Sequence, residues 1–172
     1  DISIKNTGTI TVTEAIDING SGSEVEAAFD AINNEGNATA HITGNDYTIA
    51  NLVAINAATT GAIVLADTSA SLSGTVADIK LAFAGTVTTH TGNLEITDAN
   101  ETDITATDIT GINVTNTGTI TVTNTIDING SGSEVEAAFG AIDTNTGNAT
   151  AHITGTNYTI ANLKAINNAT EG

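Results

Sequence analysis

The sequence predicts an α/β or β-rich solenoid, built of stacked coils of parallel strands with short helices on one side. Three observations predict it. The stretch IDINGSGSEVEAAF at residues 16–29 returns letter for letter at 126–139. A shorter motif recurs at intervals of roughly 24–30 residues, the range of strand-plus-helix repeats. In it, an apolar residue is followed two places on by Gly and seven places on by an apolar helix-start residue. The composition, rich in Ile, Val, Ala, Thr, Asn and Gly but with no Pro, Cys, Met or Trp, is that of strands and tight turns.

The 172 residues suffice for one domain with a sizeable core, and with 40% of them hydrophobic the chain is not disordered by composition. Lys5, Lys80 and Lys164 face twenty acidic residues, giving a net charge of -17. Such a field repels phosphate backbones and anionic lipid, which excludes nucleic acid as a partner. It favours solubility and recruits divalent cations. Without cysteine there is no disulfide framework and no thiolate site, a composition compatible with an exported bacterial protein. No run is long and apolar enough for membrane insertion. No signal peptide opens the chain, so Asp1 is read as the start of a mature protein or of an excerpt from a longer one.

The predicted plan is a single solenoid domain over 1–172, with a repeat at 1–61, spacer coils at 62–111 and a repeat at 112–172. NTGTITVT occurs at 6–13 and 116–123, GNATAHITG at 36–44 and 147–155, and YTIANL at 47–52 and 158–163, with one residue inserted near Thr144. The shorter motif fits Ile18, Gly20 and Val25, then Ile42, Gly44 and Ile49, then Leu72, Gly74 and Ile79. In the second copy it fits Ile128, Gly130 and Val135, and Ile153, Gly155 and Ile160. Because the motif runs through the spacer, a compact α/β or β-sandwich domain with an accidental duplication is the less favoured reading.

Each element has a local reason. At 9–13, Ile10 and Val12 alternate with threonines, one face apolar and the other polar. The run AIVLA at 62–66 reads as a strand covered on both faces, and 112–128 as several short strands broken at 116–118 and at Asn124. Ser23 with Glu26, and Ser133 with Glu136, have capping-box spacing. Val25, Ala28, Phe29 and Ile32 then fall on one helical face. Helices of two to three turns do not persist alone in water, so packing must hold them. Burying Val25, Phe29 and Ile32 contributes roughly 1.5–3 kcal/mol per side chain. Strand–helix–strand units without long connections favour right-handed parallel crossovers.

The strongest candidate site is the turn DINGSGSE. Asp17, Asn19, Ser21 and Ser23 place oxygens at alternate positions with a glycine between, as a calcium loop requires. Asp127, Asn129, Ser131 and Ser133 repeat the set. Ser stands at the fifth ligand position and Ala28 at the twelfth, so a tight capped turn explains the same residues without metal. The expectation is therefore no cofactor, with calcium as the alternative. Asp98, Glu101, Asp103 and Asp108 form a second acidic cluster, read as a solvated loop or as a calcium site between coils. His41 and His152 occupy equivalent places on the face opposite the core, and His90 stands apart. No Ser–His–Asp or paired-carboxylate constellation emerges, so no enzyme is expected. The Thr-x-Thr alternation fits either an exposed strand face or the flat hydroxyl array of an ice-binding solenoid. Asn-x-Thr/Ser triplets arise by chance in a chain so rich in these residues.

The segments YTIANLVAINAATTG and SASLSGTVADIKLAFAG resemble the repeats of very large Thr/Asn/Ala-rich surface proteins of cyanobacteria and other aquatic bacteria. The resemblance covers most of the chain. It implies a structural tandem-repeat segment of an extracellular bacterial protein: a surface layer, an adhesin stalk or a filament. Calcium often accompanies such proteins, although the glycine-rich nonapeptide calcium repeat is absent here. Both chain ends repeat interior patterns, which predicts further copies of the repeat or of the same chain as partners, meeting end to end.

Overall fold

Alternating apolar residues and hydroxyl-capped helix starts follow one another along the chain. Among the described residues they become eleven strands and six helices. The computed structural model describes residues 8–12, 14–33, 36–144 and 148–170. The reading of the two chain ends falls in part on residues 1–7, 13 and 171–172, which lie outside them. The chain divides into two units, residues 1–70 with 81–89 and residues 71–80 with 90–172, so the spacer contributes to both.

The first unit contains β1 (Ile10–Thr11), β2 (Asp17–Gly20), α1 (Gly22–Ala31), β3 (Ile32–Asn33), β4 (Thr39–Ile42), α2 (Ile49–Ala58) and β5 (Ile63–Leu65). Its strand pairs among the described residues are parallel. β1 pairs with β3, while β2, β4 and β5 form a second sheet in that order. Gly20 lies opposite Ile42, and Ile42 opposite Leu65. Val25 and Phe29 of α1 and Leu52 and Ile55 of α2 are buried, as are Ala40, Ile42, Ile63 and Leu65.

The capping box of α1 lies at Ser21–Glu24, two residues before the expected Ser23–Glu26. The Ser21 N–H donates to Glu24 Oε2 (2.9 Å), and the Glu24 N–H donates to Ser21 Oγ (3.4 Å). Packing decides between the two boxes. Gly22, the first helical residue, lies so close to Tyr47 that an added Cβ would sit 2.7 Å from the tyrosine Cβ. Glu26 reaches across instead and accepts a hydrogen bond from Asn51 Nδ2 (2.5 Å). Asn51 in turn completes the box of α2 with Thr48.

The second unit contains β6 (Leu72–Gly74), α3 (Val76–Ala82, whose last two residues fall in the first unit), β7 (Leu94–Ile96) and β8 (Thr102–Thr105). It continues with α4 (Ala106–Thr115), β9 (Ile120–Val122), β10 (Ile126–Gly130), α5 (Gly132–Ala141), β11 (Ala149–Ile153) and α6 (Ile160–Thr170). The sheets are β6-β7-β9 and β8-β10-β11, again parallel throughout. Ile104, Ile109, Ile112, Ile126, Ile128, Val135 and Phe139 are among its buried residues.

These sheets overturn the expected solenoid and its tandem-repeat architecture. The fold is α/β, with strands divided among separate small parallel sheets that neither close nor curl. Two physical causes are visible. Successive strands feed different sheets: β8 joins β10, whereas β9 joins β7. In the first unit the ladder also stops at β5. Ile63 meets Val87 by a single bridge, and the Leu65 N–H donates to the Thr88 hydroxyl (3.2 Å) where a continuing strand would offer a carbonyl. The period of the sequence thus marks where strands form and not which sheet each one joins.

A further difference concerns 112–128. Residues 112–115 are the last turn of α4, not a strand, because Ala106, Ile109 and Ile112 bury along one helical face. The run at 62–66 shortens to β5, with Val64 only half-buried.

Candidate functional site

The predicted calcium residues lie where a strand passes into a capped helix. On β10, Ile126 and Ile128 turn inward, which sends Asp127 and Asn129 to the opposite face of the sheet. Asn129 Nδ2 donates to Asp103 Oδ1 on β8 (2.9 Å), and Asp127 Oδ1 lies 3.6 Å from His152 Nε2 on β11. Asp103, Asp127, Asn129 and His152 therefore form a polar row across three parallel strands. The first copy has the shorter version: Asp17 Oδ1 lies 3.8 Å from His41 Nε2, and among the described residues no strand is paired on the other side of β2. Solvent-exposed pairs of this kind contribute at most about 1 kcal/mol.

Ser21 and Ser131 are drawn away from this row. Their hydroxyls face Glu24 and Glu134 within the capping boxes. The Ser21 and Ser131 N–H groups, and then their hydroxyls, hold the carboxyls of Glu24 and Glu134 below the usual glutamate range. The structure thus brings Asp17 and Asn19 onto one strand face, as it does Asp127 and Asn129, and gives the two serines to the helix starts. A cation at either turn would compete with the cap for the serine oxygen. Among the described residues no group of three or more His, Asp or Glu is placed to hold a metal ion.

The second acidic cluster is dispersed. Asp98 is buried, and its Oδ2 accepts the Val76 N–H (2.8 Å) at the start of α3. Asp108 pairs with Lys80, and Asn100 accepts the Thr125 N–H. Glu101 takes a left-handed backbone (φ 61°), rare for a residue with a side chain. The threonines on the outer side of β9 are cross-linked rather than arrayed: Thr121 bonds Thr144 (2.6 Å) and Thr123 donates to Glu95 (2.7 Å).

Sequence reasoning missed two features. His90 is fully buried, its Nδ1 2.9 Å from Asn116 Oδ1, and Asn116 Nδ2 donates to the Gly118 carbonyl. No pattern in the sequence marks that pair. The other feature is the exposure of Tyr158, Ile160 and Leu163, whose equivalents Tyr47, Ile49 and Leu52 are buried. An open hollow between α5 and α6 is lined by Ser133, Glu136, Phe139, Gly140, Ala165 and Ala169. Its one carboxylate, Glu136, is held by Asn162 Nδ2.

No protein-family model matches the chain, and no curated protein matches it either.

Proposed function

We propose that the chain is a structural, non-enzymatic segment of an extracellular bacterial protein, such as a surface layer, an adhesin stalk or a filament, with further copies meeting it end to end. The observation that carries this reading is where the polar groups go. Ser21, Ser131 and Asp98 close helix starts, His90 and Asn116 satisfy one another, and Glu136 fastens Asn162. Side chains that a catalytic reading would draw on are thus used to hold the fold together. The likeness of YTIANLVAINAATTG to repeats of large bacterial surface proteins supports the extracellular placement. The acidic surface supports it too, because a net charge of -17 keeps repeated copies soluble at close quarters.

The test is antibody labelling of the native bacterium, intact and permeabilised. Labelling of intact cells, removed by brief external protease, is the expected result. Signal confined to permeabilised cells would overturn the extracellular role.

A further inference from the structure

Among the described residues, two sheet edges have no paired strand, and the equivalent of each is paired elsewhere in the same chain. The first is the outer edge of β11 with the adjoining face of α6. Tyr158, Ile160 and Leu163 are 49, 74 and 40% exposed, whereas Tyr47, Ile49 and Leu52 in the identical YTIANL are 3, 5 and 0% exposed. The difference is a neighbour. β4 has β5 paired along its outer edge, and the Tyr47 hydroxyl donates to the Asp67 carbonyl just beyond β5 (2.8 Å). β11 ends its sheet.

The second face is the outer edge of β2. Ile16, Ile18 and Ala28 are half-buried there, whereas their equivalents Ile126, Ile128 and Ala138 are fully buried. Again a neighbour accounts for it: β10 has β8 beside it, whereas among the described residues β2 is the edge strand of its sheet.

We propose that a second copy of this chain closes both: β2 of one copy pairs, parallel, on the free edge of β11 of another, and its α1 covers Ile160 and Leu163. This deepens the end-to-end partner proposed above and rests on it. The register follows from the existing ladders. Gly20 pairs with Ile42, and Ile42 with Leu65; Gly130 pairs with Ile153. The same alignment sets Gly20 of the incoming copy opposite Ile153, Ile18 opposite Ala151, and Asn19 opposite His152. Ile18 then meets the apolar face of β11, and the acidic strand of the newcomer meets an imidazole rather than another carboxylate. Parallel pairing of this kind is heterologous, so it propagates instead of stopping at a dimer. The charge of -17 on each copy opposes it, and added salt screens that repulsion.

The chain has no cysteine, which makes the register directly testable. Two single variants, Asn19→Cys and His152→Cys, are mixed and oxidised at high salt. The expected product is the mixed disulfide between copies, in excess of either homodimer. Sedimentation of the unmodified chain should show association that grows with concentration and salt. Ile160→Glu, at a side chain exposed in the single copy, should weaken that association roughly tenfold or more without lowering the melting temperature. A chain that stays monomeric at high salt overturns the pairing, as does association indifferent to Ile160→Glu. Preferential disulfide formation between two copies of the His152→Cys variant overturns it in favour of a symmetric contact. Tight binding of a peptide of residues 61–69 by a chain that remains monomeric overturns it in favour of a foreign strand. None of these outcomes touches the surface-labelling test, so failure of the pairing and failure of the scaffold role remain distinguishable.

Discussion

The six residues YTIANL occur twice and have two fates. At 47–52 they begin a helix whose Tyr, Ile and Leu are buried, and at 158–163 they begin the same helix with the same side chains in solvent. The local structure is common to both. Thr48 and Thr159 receive the same bonds from Asn51 and Asn162, and Gly22 and Gly132 lie equally tight against Tyr47 and Tyr158. Capping and helix start therefore follow from a few adjacent residues, while burial follows from the strand that lies beyond them. Identical sequence yields identical elements, but stability is distributed by the neighbours.

The largest effects should come where the two copies agree. Phe29→Ala and Phe139→Ala each empty a buried aromatic site and should each cost about 3–5 kcal/mol in urea unfolding. A cost below about 1 kcal/mol at either would mean that its helix face does not carry the core.

The sharper test is where they disagree. Leu52→Ala should cost about 2–5 kcal/mol. Leu163→Ala, the same change in the same motif, should cost less than about 1 kcal/mol in dilute solution. Equal losses would erase the distinction between the copies.

Tyr47→Phe removes one hydroxyl bond to the Asp67 carbonyl and should cost about 1 kcal/mol. Burial, and then the nearby Asp67 charge, pushes the Tyr47 hydroxyl up to about 12. A folded-state value raised above the unfolded one contributes stability that is complete below pH 10 and is lost as pH climbs from 10 through 12. The unmodified chain should therefore lose stability over that range, and Tyr47→Phe should flatten the loss. A phenolate absorbance step at an ordinary tyrosine value that disappears in this variant would refute the burial argument.

Ser21→Ala and Ser131→Ala should each cost about 1 kcal/mol, equally in both copies, because the cap is local. Glu24 and Glu134 sit below their usual range, so their share is present above it and is lost as pH falls through the folded-state values, below 4.5. An acid melting series should show this loss in the unmodified chain and a smaller one in the double serine variant, which keeps the backbone N–H bonds to Glu24 and Glu134 but loses the hydroxyl ones. The smallest expected effect is that of calcium. With Ser21 and Ser131 engaged in caps, millimolar calcium should move the melting temperature little. A rise that Asp127→Asn abolishes would place a cation at the second turn.

Much of the local structure was legible in the sequence. The apolar spacing of Val25 and Phe29, the Ile18 and Ile128 strands, and the existence of a capping box all follow from adjacent residues. The choice between two overlapping S-x-x-E boxes did not, because Tyr47, more than twenty residues away, selects Gly22 as the first helical residue. α4 was hidden by its threonines, whose branched side chains resemble strand signals until Ile109 and Ile112 are seen packed. Sheet membership was illegible for a deeper reason: periodicity is a property of one strand, and pairing is a property of two. The candidate site shared that fate. Asp127 and Asn129 were legible as oxygens on one face, but Asp103 reaches them only through the pairing of β8 with β10.

The short reach of the strand ladders has a kinetic consequence. Among the described residues every strand pair joins residues 22–26 apart along the chain, from Ile10 with Ile32 to Leu94 with Ile120. Loop-closure entropy depends only weakly on length, so each pair pays nearly the same cost, and no sheet must wait for a distant segment. Parallel sheets are ordinarily slow to assemble because their contacts are remote in sequence. Here a strand meets its partner as soon as the next helix has formed, so the chain can add its strand pairs one after another, in alternating sheets, as it leaves the ribosome.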